Sequence, residues 1–177
     1  MVTSKASSKW STRFIWAAII QGLAATLLTV PIVIPWIHPS VSQVIASGSA
    51  GTWFLVGYAM YLVVGVIAVG LTALFYYHFE VTLNKPYKGV VTNAFATVHL
   101  IAMNVGAAAA TFMLMYAGYF GERALMPVSS GGLAESVGVV HTTIMSQFIN
   151  PVGYALILTG IGVLCGGIGF FVNYLRK

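Results

Sequence analysis

VGYALILTGIGVLCGGIGFFVNYL, residues 152–175, has no charged side chain over a stretch longer than the roughly 20 residues a helix needs to cross the hydrocarbon layer of a bilayer. The apolar character reaches back to Gly138 and predicts a span over 138–175. Three further apolar runs predict spans over 14–36, 52–77 and 89–120. Composition points the same way. Of 177 residues, 59% are hydrophobic and only 6% are charged, whereas soluble domains are about a quarter charged. There is no Asp, and the only acids are Glu80, Glu122 and Glu135. The predicted fold class is therefore all-α: one four-helix transmembrane bundle over residues 1–177, with the lipid bilayer as its main surroundings.

The basic residues set an expected orientation. Lys5, Lys9 and Arg13 precede the first span, Lys85 and Lys88 lie between the second and third, and Arg176 and Lys177 end the chain, while Arg123 alone falls on the opposite side. This asymmetry predicts both termini on the cytoplasmic side of the plasma membrane. It also explains the net charge of +5 without a nucleic-acid partner, because the cations flank apolar runs and form no arm or patch. The basic start resembles a signal peptide, but the run behind it is too long for one and contains Pro31 and Pro35, so it reads as an uncleaved span. A single cysteine, Cys165, excludes an intrachain disulfide or a CxxC site.

Prolines 31 and 35 are expected to bend the far end of the first span, and Pro151 the fourth. Gly162 and Gly166 are spaced as GxxxG, a packing signal that fits either the bundle interior or a homodimer seam. Glu122, Arg123, Pro127 and the pair Gly131–Gly132 make 121–137 read as an external loop capping the bundle.

Four histidines are the candidates for chemistry: His38, His78, His99 and His141. Imidazole ligates haem iron, copper and zinc, and a bundle interior is a natural place for such a site. His38 precedes Pro39 and also reads as an interfacial loop residue; His78, in YYHFE, also reads as part of an aromatic belt. His99 stands about ten residues inside an apolar helix, where a polar side chain is a functional hypothesis by default, the alternative being a hydrogen bond to a neighbouring helix. Reflecting the second and third spans about their connection sets His99 opposite about Ala68, on the order of 15 Å from the level of His78. His99-Leu-Ile-Ala-Met103 and His141-Thr-Thr-Ile-Met145 each place Met one turn after His, a pattern that equally serves apolar packing.

The segment HTTIMSQFINPVGYALILTG, from His141, with GGIGFFVNYL beyond it, resembles the second helix of subunit I of the haem-copper oxidases. There an HGTIM-like motif opens a long helix and its His binds the low-spin haem, so the resemblance implies a haem-ligand role for His141. It covers the last third of the chain. The chain has no further segment for that family's copper histidines, cross-linked Tyr or second haem, so complete oxygen reduction by this chain alone is not expected.

There is no GxSxG elbow, HExxH, P-loop or acidic dyad, and no carboxylate is expected deep in the membrane, which leaves an enzyme or transporter reading weak. Three functions follow. The first is a small b-type membrane cytochrome in electron transport, with haem b bound by His141 and His99 and with His38 and His78 as further candidates. The second is a non-catalytic accessory subunit of a larger respiratory or oxidase complex, packing through Gly and Ala faces. The third is an outer-surface copper site at His38, His141 and Glu135. A homodimer is a further expected arrangement.

Overall fold

A computed structural model describes residues 8–176, so Lys5 and Lys177 of the charge pattern lie outside the described residues. Four helices are long and apolar enough to cross a membrane: α1, Lys9–Val33; α3, Gly51–Thr82; α4, Val90–Leu125; and α5, Val137–Leu175. A short helix, α2, Val41–Ser47, lies between the first two. No strand occurs among the described residues.

The expected spans are all present, with shifted ends. The first begins at Lys9 rather than 14 and stops at Val33, with Pro31 inside its last turn. The second continues past Tyr77 to Thr82, its final turn π-helical over His78–Thr82. The third continues to Leu125, so Glu122 and Arg123 are helical and only the remainder of 121–137 is a connection. That connection folds back on α4: the amides of Leu133 and Glu135 donate to the carbonyls of Arg123 and Ala124, satisfying acceptors that a helix C-terminus leaves open. Pro151 lies within helical α5, and a π-helical stretch over Val140–Met145 precedes it.

Packing follows chain order. α1 lies on α3, α3 on α4, and α4 on α5, while α1 meets α4 at few points and α3 meets α5 only near the end that carries Leu175. Thus α4 is the most enclosed span and α1 the least. The α4–α5 seam is built on backbone approach. A β-carbon at Gly162 would lie 2.5 Å from Met103 N, and one at Gly106 would lie 2.6 Å from Thr159 N. In lipid, where apolar side chains gain little by leaving one apolar solvent for another, such small-residue contacts carry much of the association. The GxxxG of α5 therefore faces α4, inside the fold.

Candidate functional site

His99 is the one histidine in the interior. Positions 92, 96, 99, 103 and 106 of α4 are all buried, a helical stripe turned toward α3 and α5. Tyr76 Oη lies 3.2 Å from His99 Nδ1. The rings of Phe14, Tyr76 and Phe170 surround the imidazole at centroid distances of 5.0, 5.9 and 6.0 Å. Gly166 supplies the remaining side: a β-carbon there would fall 2.1 Å from His99 Nδ1. The other ring nitrogen carries no hydrogen bond among the described residues.

The remaining candidates lie elsewhere. His78 and His141 are exposed, as is Glu135. His38 is exposed as well and leans on the left-handed Gly131 of the α4–α5 connection. Because Gly166 marks the level of His99 on α5, His141 stands on the order of 37 Å from it along that helix, at about 1.5 Å per residue. That span is far too long for two axial ligands of one iron. His99 lies opposite the Tyr76 turn of α3 rather than Ala68, since α3 runs on to Thr82, but His78 points away from it. No group of three or more His, Cys, Asp or Glu side chains is placed to hold a metal ion among the described residues, so His38, His141 and Glu135 do not converge.

No family model matches the chain, and neither does any curated protein or solved structure. Function must therefore be read from the arrangement itself.

Two carboxylates take structural roles. Glu80, buried at the end of α3, accepts hydrogen bonds from Trp10 N and Ser11 N at 3.0 Å, the first-turn amides of α1. Ser8, the sequence-local cap position, makes no such bond. At the opposite end, buried Glu122 of α4 accepts from Gly51 N, the first residue of α3, at 3.1 Å. Each span end thus supplies the negative charge that the N-terminus of an earlier span favours. Near Glu80, burial and the Glu80 charge raise the Tyr87 phenol above its usual value, and Asn173 opposes the rise without forming a full hydrogen bond.

Besides a groove of about 450 Å³ between α1 and α3, two grooves open toward lipid beside α4. One runs over α4 between α3 and α5, in two stretches of about 450 and 360 Å³ that share Val163. Its floor holds Ala107, Ala110, His99 and Met103, and its α5 wall includes Gly160 and Gly167. From Leu156 to Phe170 it follows α5 for on the order of 21 Å. The other groove, about 610 Å³, lies between α1 and α4. At its inner end, farthest from Arg13, Gln21 Nε2 donates to Asn104 Oδ1 at 3.2 Å, and the Tyr61 hydroxyl donates to Gln21 Oε1. Gln21 and Asn104 were the readable signal for this groove: each is a lone amide inside an apolar span, where a polar group needs a partner.

Proposed function

We propose that this chain is a non-catalytic accessory subunit of a larger membrane complex, and that a transmembrane helix of a partner subunit lies in the groove over α4 between α3 and α5. The observation that carries this reading is the groove itself: about four turns long, floored by alanines and open beside Gly160 and Gly167, where added β-carbons would meet nothing within 4 Å. Small residues on an unoccupied lipid-facing wall let another helix approach closely. The buried polar groups support the same reading, since Glu80, Glu122 and the Nδ1 of His99 are engaged in holding helices together. The likeness of residues 141 onward to a haem-copper oxidase helix favours a respiratory or oxidase complex as host. The basic flanks favour a plasma-membrane orientation with both termini cytoplasmic.

A second reading has its own observation. His99, oriented through Nδ1 by Tyr76 and with its other nitrogen free of hydrogen bonds, lines the same groove one turn before Met103. A hydrogen bond on one ring nitrogen fixes the ring's orientation and leaves the other to ligate, as metal-binding histidines do. His99 fits a haem as a single protein ligand and not as a pair with His141. Bound there, haem would supply one-electron chemistry, with His99 and Tyr76 fixing its orientation.

One purification separates the two. The tagged chain, extracted mildly from its native membranes, is expected to bring down further subunits and to migrate as a large complex. Gly160→Phe with Gly167→Phe should release it as a folded, smaller species. A sample that is alone in both forms, and whose visible Soret band disappears with His99→Ala, would overturn the accessory reading in favour of the cytochrome.

A further inference from the structure

The α1–α4 groove differs in kind from the one over α4 and points to a small ligand. Gln21 and Asn104 each carry a primary amide with two N–H donors. One donor of Gln21 goes to Asn104 Oδ1, and one donor of Asn104 goes to the Leu100 carbonyl at 2.8 Å. One N–H on each amide is left over among the described residues. Both side chains are half-buried and line a groove whose other walls are apolar, Trp16 among them, apart from Thr97 and, at its mouth, Arg13. In the hydrocarbon layer no water is at hand to take those two protons.

Depth narrows the occupant. Gln21 lies at the middle of Lys9–Val33, about 12 Å along the helix from Arg13 at the groove's mouth. Phospholipid headgroups stay at the bilayer surface, well above that level. A transmembrane helix satisfies its own carbonyls internally and so offers no acceptor to these amides along the three or so turns of α1, from Trp10 to Gln21, that line the groove. What fits is an uncharged, flat, lipid-soluble molecule with its own acceptors. We propose that the α1–α4 groove binds the head of a quinone, whose ring carbonyls accept the free N–H groups of Gln21 and Asn104 while the ring lies near Trp16. The Tyr61 hydroxyl holds Gln21 by its oxygen, which fixes the amide in place beside Asn104. This site is separate from the partner groove and stands or falls independently of it.

The test uses the whole chain in phosphatidylcholine nanodiscs, titrated with 2-decyl-1,4-benzoquinone and followed by tryptophan fluorescence. Saturable quenching is expected, reduced in Trp16→Phe, abolished when Trp10→Phe is added, and not displaced by decylbenzene, which has the same tail and no carbonyls. Gln21→Leu with Asn104→Leu should weaken binding by at least about tenfold, the worth of two modest hydrogen bonds. Ile101→Trp, which narrows the groove and leaves both amides in place, guards against misfolding of the double variant and should also weaken binding. Unsaturable quenching, displacement by decylbenzene, or unchanged affinity in these variants with native helical content would overturn the assignment.

Discussion

α5 and α1 are both outer spans, yet they are held by different means. α5 presses glycine onto the backbone of α4, with Gly162 against Met103 N and Gly106 receiving Thr159 N. α1 leaves a groove against α4; beyond the burial of Trp10 and Phe14 in one cluster with Val69, Ala73 and Tyr76 of α3, it is tied by polar bonds. Glu80 caps its first turn, Trp10 Nε1 donates to Asn93 Oδ1 at 2.9 Å, Gln21 reaches Asn104, and Thr29 Oγ1 lies 2.7 Å from Tyr58 Oη. Close packing seals the α4–α5 seam itself and leaves only the groove beside it, toward α3; polar ties hold α1 while leaving the α1–α4 seam open.

The comparison breaks most sharply at Gly162. Gly162→Val places carbon against backbone atoms that cannot rotate away, and should cost about 1–3 kcal/mol or more of stability in a detergent unfolding titration, as overpacking does. Gly167→Ala, one turn away on the open side, should change stability by no more than about 0.5 kcal/mol. If both variants behaved alike, glycine packing would not be what holds α5.

A smaller effect is expected on the α1 side. Glu80→Ala leaves the amides of Trp10 and Ser11 without their acceptor, and loss of a cap costs about 0.5–2 kcal/mol. Because the bond ties α1 to α3, hydrogen exchange should speed up in the first turns of α1 and stay unchanged in α5. Equal loosening of both helices would mean that Glu80 supports the whole fold and has no special part in holding α1.

The four spans were legible in the sequence because a bilayer demands long uncharged runs, and 152–175 could be nothing else. Their ends were not. The end of α3 is hidden in YYHFE, which reads as an interfacial belt, because the partner that draws Glu80 inward is the first turn of α1, some 70 residues earlier. Glu122 looked like a loop acid for the same reason: its acceptor role depends on Gly51. His99 was readable as an interior residue, and Tyr76 supplies the hydrogen bond from a neighbouring helix that was its alternative explanation. The separation of His99 from His141 was legible in direction, since the expected orientation sets His99 toward the inner half and His141 toward the outer side, but its size needs the register of α5 on α4, which Gly166 fixes and no periodicity reveals.

The partner-helix claim is tested most directly by placing a photo-activated cross-linking residue at Gly160, in the wall of the α3–α5 groove, and at Leu27, a lipid-facing position on α1 that is 72% exposed, in cells carrying the native membrane complex. The account predicts a protein adduct of defined mass from position 160 and only lipid adducts from position 27. Lipid adducts alone at both positions would contradict it.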